Sequence, residues 1–218
     1  DAQNAGIKVM SHSGGASVPG SRPITVEHLL LLKPDVCGHV NGGPTSLDDE
    51  GLEVLVRETE LVLQLVQAGN LRSSLRIIDT VREIGAERRV IIGSDTPTGT
   101  GVMPLGVLKT VAELTSLGNL DPGLVWAWAS GAIANVYGLD AGKVEVGRPA
   151  DLVISDAPWG SHGSGTLGAL ARGDIPGISA VLIDGEVRTL TSRNTPASAT
   201  PVAVHPYLKD PCGSEHVC

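Results

Sequence analysis

Four short apolar runs end at nearly even intervals in the first part of this 218-residue chain. The runs cover 7–12, 35–40, 59–67 and 90–95, and turn-forming residues stop each of them. Their ends, at His12, His39, Gln67 and Asp95, lie 27, 28 and 28 residues apart by residue number. Stretches 26–32, 47–58 and 71–86 separate them, and 103–116 follows. In 71–86 the apolar positions Leu71, Leu75, Ile78, Val81 and Ile84 recur at helical spacing. The leucines of 59–67 fit either a strand or a helix, and the interval favours a strand. Thr25 stands where it can cap the first helix, and Ser46 and Glu50 frame the second. Alternating strand and helix imply an α/β fold with a parallel sheet and right-handed crossovers. The interval is the length of one unit of a (β/α)8 TIM-type barrel, which takes about 250 residues in all. Four units make half of one.

The pattern changes further on. Asp121-Pro122 opens a helix expected to run to Gly138. From Gly142 the runs are short and β-rich: 143–146, 151–155 and 179–184. Asp184-Gly185 signals a hairpin whose return strand is 186–189. Residues 191–218 are rich in Pro, Ser and Thr and are expected to form a loose tail. The expected division is 1–140 for the barrel part with its following helix, 141–190 for a small β unit and 191–218 for the tail.

Composition narrows the function. With 41% hydrophobic residues and no Phe, the core must be built from Val, Ile, Leu and Ala. A net charge of −8 disfavours nucleic acid or an anionic membrane as partner. No apolar run approaches the roughly 20 residues of a membrane span. The chain opens like the end of a helix, with Gly6 at its C-cap, and shows no secretory signal. Cys37 sits in an apolar run, while Cys212 and Cys218 lie in the tail without metal-ligand spacing. An odd count argues for a reducing compartment, hence a cytoplasmic protein.

Parallel strands would bring His12, His39 and Asp95 to one rim, the carboxyl ends, where such folds carry their chemistry. Two imidazoles and a carboxylate suit zinc, with iron or manganese as alternatives. Gly14-Gly15 and Gly42-Gly43 flank the histidines and leave room for a substrate. Taken singly, each strand-end histidine could be a hydrogen-bonded loop residue, and Asp-x-Pro is common loop chemistry. The unit spacing is what joins them. His28, His162, His205 and His216 fall on a helix, a Gly/Ser loop and the tail, and read as solvated.

These residues resemble a family. His12, His39 and Gly93-Ser94-Asp95 are similar to the fifth-, sixth- and eighth-strand ligand stretches of the metal-dependent amidohydrolase superfamily. Gly142–Asp156, with its Ala150-Asp151-Leu152 run, resembles that superfamily's return to a small β-sandwich. Ile183–Val187 resembles its closing hairpin. Within the superfamily the stretches His12–Ser21, His39–Pro44, Ser94–Gly101 and Gly173–Ile178 resemble the enamidase branch.

The resemblance implies the C-terminal half of a (β/α)8 barrel followed by part of a β-sandwich. It implies a divalent metal, zinc in the first instance, held by His12, His39 and Asp95. It implies hydrolysis of a non-peptide C–N bond in a small cyclic amide or enamide. Asp95 would take a proton from the attacking water and pass it to the leaving nitrogen. Asn41, Gly42, Gly43 and Thr96 would line the substrate pocket, and Arg22 could face a substrate carboxylate. The full-length enzyme would be a homo-oligomer. Imidazolonepropionase-like or dipeptidase-like activity, or an inactive half-barrel, are the alternatives. The superfamily also carries a His-x-His pair on its first strand and a bridging Lys or acid on its fourth. No His-x-His occurs here, so the chain is expected to be the C-terminal part of a longer enzyme.

Overall fold

A computed structural model describes residues 2–16, 18–43, 45–98 and 101–205. Four parallel strands, β1 (Met10–His12), β2 (Val36–Gly38), β3 (Val62–Val66) and β4 (Val90–Gly93), pair in sequence order. Helices α1 (Val26–Leu32), α2 (Asp49–Glu58) and α3 (Leu71–Glu83) connect them, and α4 (Gly106–Leu117) follows β4. The expected β-α alternation is present, with 59–67 contributing a strand. Register aligns His12 with Gly38, Cys37 with Leu63, Gln64 with Ile91 and Val66 with Gly93.

Side chains alternate across each strand. Cys37, Leu63, Leu65, Val90 and Ile92 join a core with Leu52, Leu55 and Val56 of α2, Ile77, Ile78 and Val81 of α3, and Val111 and Leu114 of α4. Burying Leu63, Leu65 or Ile92 contributes roughly 1.5–3 kcal/mol each. The intervening residues Val36, Val62, Gln64, Val66 and Ile91 occupy the other face. Burial pushes the Cys37 thiol up to about 12, so it behaves as a small hydrophobe.

Caps set the helix limits. Asp48 accepts from Gly51 N at 2.7 Å, so α2 starts two residues after the expected Leu47, and the cap is Asp48 rather than Ser46. Asn70 caps α3 by accepting from Ser73 N at 3.1 Å. His28 reaches back to the Thr25 backbone N–H at 3.1 Å, the part that Glu or Gln plays in a capping box.

The expected long helix after Asp121 is two helices, α5 (Pro122–Trp128) and α6 (Gly131–Tyr137). Ser130 breaks it, with φ −139° and a hydroxyl that donates to Trp126 O at 3.0 Å. The returning chain passes there: a Cβ on Gly142 would stand 2.9 Å from Ser130 O.

A second sheet is antiparallel, with β5 (Leu152–Asp156), β6 (Gly177–Ile183) and β7 (Glu186–Thr189) in that order. The Asp184-Gly185 turn has both φ values positive, at 52° and 75°, as a two-residue hairpin requires. Residues 143–146 are not a strand, contrary to their alternating pattern. Val144 and Val146 are 85% and 108% exposed, and no strand among the described residues pairs with them. An unexpected helix, α7 (Gly165–Ala171), buries Ala169 and Leu170. The first part of the expected loose tail is ordered against the small sheet. Ala199 N donates to Ala157 O at 2.9 Å, and Ser179 and Ser198 hydroxyls meet at 2.7 Å. Cys212, His216 and Cys218 lie outside the described residues. No helix among the described residues is long and apolar enough to cross a membrane.

Candidate functional site

The carboxyl ends of β1 to β4 form the rim. His12 is the last residue of β1. His39 follows β2 directly at φ 37°, and Asp95 lies two residues past β4 at φ 53°. Left-handed backbone is uncommon outside glycine, though His and Asp are among the residues that tolerate it best. It turns both side chains off the strand direction at the point where the strand stops.

His12 Nδ1 and His39 Nε2 face each other at 2.9 Å, with ring centroids 4.5 Å apart and planes at 60°. The other nitrogen of His12, Nε2, lies 3.3 Å from Gly15 O. A carbonyl only accepts, so Nε2 carries the proton in that contact and Nδ1 presents its lone pair toward His39. Metal-bound histidines are held in this way, with the second ring nitrogen on a carbonyl or carboxylate. Two nitrogens on one tetrahedral zinc, each at about 2.0–2.1 Å, stand about 3.3 Å apart. The pair therefore fits one shared cation with a separation of the rings by a few tenths of an ångström.

The loop after His39 is tightly built. Gly42 N donates to His39 O at 2.7 Å, and a Cβ on Gly42 would come within 3.2 Å of that oxygen. Ser13, fully buried beside His12, donates to Gly38 O at 2.9 Å. Asn41 serves the fold. At 1% exposure, its amide nitrogen donates to Val66 O at 3.0 Å and Ser74 Oγ at 2.8 Å, and its amide oxygen accepts from Val66 N at 2.9 Å. The expected substrate donor is thus spent on joining the β2 loop to β3 and α3. Gly42 is buried, whereas Gly43 and Thr96 are half-buried. Thr96 donates to Ser94 Oγ at 3.2 Å. Arg22, His162 and His205 are exposed.

Asp95 is exposed on the same rim. Gln67 N and Ala68 N donate to Gly93 O and Ser94 O at 3.3 and 3.2 Å, which ties the start of its loop to β3. Among the described residues no three His, Cys, Asp or Glu side chains lie close enough together to hold a metal ion. The structure brings His12 and His39 into contact and leaves Asp95 apart from them.

Gln64 is a site residue that the sequence reading passed over. It stands on the inner face of β3, and its Oε1 accepts from His39 N at 3.1 Å. Its signal was one amide in the apolar run Val62-Leu-Gln-Leu-Val66, at the alternate position that faces away from the helices.

Residues 3–190 match the amidohydrolase family. The chain belongs to that family. This amidohydrolase chain is 43% identical over 195 residues to enamidase of Eubacterium barkeri, covering 89% of this chain and 50% of that protein. The crystal structure of enamidase superposes with a TM-score of 0.88 at 42% identity, over 92% of this chain and 52% of that one. A β-aspartyl dipeptidase from Fervidobacterium islandicum AW-1, crystallised with a β-Asp-Leu dipeptide, matches with a TM-score of 0.51 at 18% identity, over 83% and 47% of the two chains. At that identity the likeness extends to the fold alone. The amidohydrolase chain spans about half the length of the curated relative that it matches.

Proposed function

We propose that this chain supplies the C-terminal half of a metal-dependent (β/α)8 amidohydrolase that opens the C–N bond of a cyclic amide or enamide-type substrate. The reading is carried by the facing of His12 Nδ1 and His39 Nε2 across 2.9 Å at the carboxyl rim. The 43% identity to enamidase supports the substrate class. The open outer edges of β1 and β4 among the described residues support the half-barrel, because a closed barrel leaves no edge.

In this reading His12 and His39 would hold a divalent cation, with zinc first and iron or manganese as alternatives, and Asp95 stands on the same rim apart from the pair. A cation bound there would polarise the substrate carbonyl and lower the pKa of a bound water toward neutrality. Asp95, exposed at the rim, takes the proton of the attacking water and delivers it to the leaving nitrogen. The Gly15 carbonyl holds His12 in the tautomer that presents Nδ1. Gly43 and Thr96 border the space left for the substrate ring. Residues 195–200 bond to the small sheet, and α7, which lies between β5 and β6 in the chain, packs against α4 and α5.

Metal analysis and a substrate panel on the full-length protein test this. Tightly held zinc, iron or manganese and chelator-sensitive hydrolysis of cyclic amides or enamides are expected. Hydrolysis indifferent to chelation would overturn the metal reading. Preference for N-acyl dipeptides over cyclic amides would overturn the substrate class.

A further inference from the structure

We propose that Gln64 is the positioning residue of His39: its carboxamide sets the backbone of the β2 loop, and so fixes where the His39 ring meets His12. The inference rests on the reading of that histidine pair as a cation site. Gln64 belongs to β3, the strand between β2 and β4. Its Oε1 accepts from His39 N at 3.1 Å, and its own backbone O accepts from Val40 N at 2.9 Å. One residue thus accepts from the two successive peptide N–H groups that flank the His39 Cα. The grip falls on His39 itself, which has left the ladder of β2 at φ 37°, two residues ahead of the Asn41 bonds that tie the rest of the loop to β3 and α3.

The neighbouring strand is shaped to the amide. A Cβ on Gly93 would lie 3.1 Å from Gln64 Nε2, so glycine at the end of β4 leaves the carboxamide its room. Gly93 in turn precedes Ser94 and Asp95. The amide therefore stands between the strand end that carries His39 and the strand end that carries Asp95. A purely structural glutamine would not need its oxygen on this N–H: on an inner face lined by Val62, Val66 and Ile91, an apolar side chain of the same length fills the same volume.

Three variants separate the roles. Gln64→Glu keeps an oxygen acceptor at the same reach. Gln64→Met keeps the length and removes the acceptor. Gln64→Asn keeps the amide and, about 1.5 Å shorter, should still fold if methionine does not. Each full-length, metal-free protein is titrated with Co²⁺, followed by visible absorption, and the exchange of the His39 amide proton is followed by NMR. Gln64→Met and Gln64→Asn should weaken Co²⁺ binding about 10–100-fold, the effect of losing an outer-shell partner, with the melting temperature of the metal-free protein little changed. Both should speed exchange of the His39 amide. Gln64→Glu should hold parental affinity or exceed it and keep the amide protected. Parental affinity and parental exchange in Gln64→Met or Gln64→Asn would overturn the inference. If the parent itself binds no Co²⁺, the cation reading fails. The positioning role is then decided by amide exchange alone: loss of protection with methionine or asparagine and its retention with glutamate uphold it, and unchanged protection overturns it.

Discussion

At the amino ends of the parallel strands, Arg89 is 4% exposed and its guanidinium donates to Val56 O at 2.7 Å, Leu61 O at 3.0 Å and Thr59 Oγ1 at 3.2 Å. Nearby, Asp35 accepts from Val9 N at 2.9 Å, Gln3 Nε2 at 3.1 Å and Lys8 Nζ at 3.1 Å. At the carboxyl ends, His12 and His39 meet each other, and Asp95 is exposed on left-handed backbone. The same four strands thus present two kinds of polar end. At the base, charged groups close gaps between elements and are satisfied by the fold. At the rim, titratable groups are aimed at one another or at solvent, on backbone that costs about 1–3 kcal/mol per left-handed residue. Left-handed backbone occurs at the base too, at Lys33 with φ 47°, but at the rim it falls on the titratable His39 and Asp95, at the end where barrel enzymes place chemistry. Substitutions at the two ends should therefore move different observables.

The largest effect belongs to Asp95→Asn. Asparagine tolerates the same backbone, so the melting temperature should hold while kcat falls about 10²–10⁴-fold, the range for losing a general acid–base. Steady-state kinetics beside a thermal melt decide it, and parental turnover would remove Asp95 from the chemistry. Next come His12→Asn and His39→Asn. Each should reduce metal content at sub-stoichiometric supply by at least about 100-fold in affinity, the upper end of what outer-shell losses cost. Elemental analysis after dialysis reads this out. If either variant retained parental metal, the pair would be an ordinary hydrogen-bonded contact.

The part of this contrast that was legible in the sequence was the placement of carriers. A period of one β/α unit puts His12, His39 and Asp95 at successive strand ends because helix and strand lengths are set locally. Which of those side chains touch depends on backbone within one or two residues of each strand end, where the left-handed turns at His39 and Asp95 act, and no period records that. Asn41 looked like a substrate donor because it follows a strand-end histidine. Its partners, Val66 and Ser74, are 25 and 33 residues away and come near only in the folded sheet. Gln64 was obscured by its apolar neighbours, although the period of two already placed it opposite Leu63 and Leu65. The Lys143–Val146 alternation called for a strand, but a strand needs a partner, and pairing is a property of the whole fold. Ser130 shows the same limit inside a helix: its break combines its own hydroxyl bond to Trp126 O with the approach of Gly142, which no local pattern records.

The base should answer differently. Arg89→Met keeps the apolar stem but orphans the Val56 and Leu61 carbonyls. Leaving such buried acceptors unpaired costs about 1–3 kcal/mol. The urea midpoint should fall while kcat/KM of the remaining folded enzyme stays parental. A loss of kcat/KM at full folding would break the separation between the two ends.

The smallest effect is at Asp35. The Val9 N–H first, and then Lys8, hold its carboxyl below the usual carboxylate range. A folded value below the unfolded one means that the stabilisation is present above the unfolded pKa of about 3.9 and is lost as pH falls through the folded value. Asp35 keeps a solvent-exposed fraction, so screening keeps the effect modest. Asp35→Asn should lower the urea midpoint slightly at pH 7, and the gap to the parent should close toward pH 3. A gap at Asp35 that stayed constant with pH would mean that the Val9 N–H, rather than the charge, supplies the whole benefit, since asparagine can still accept that bond through its oxygen.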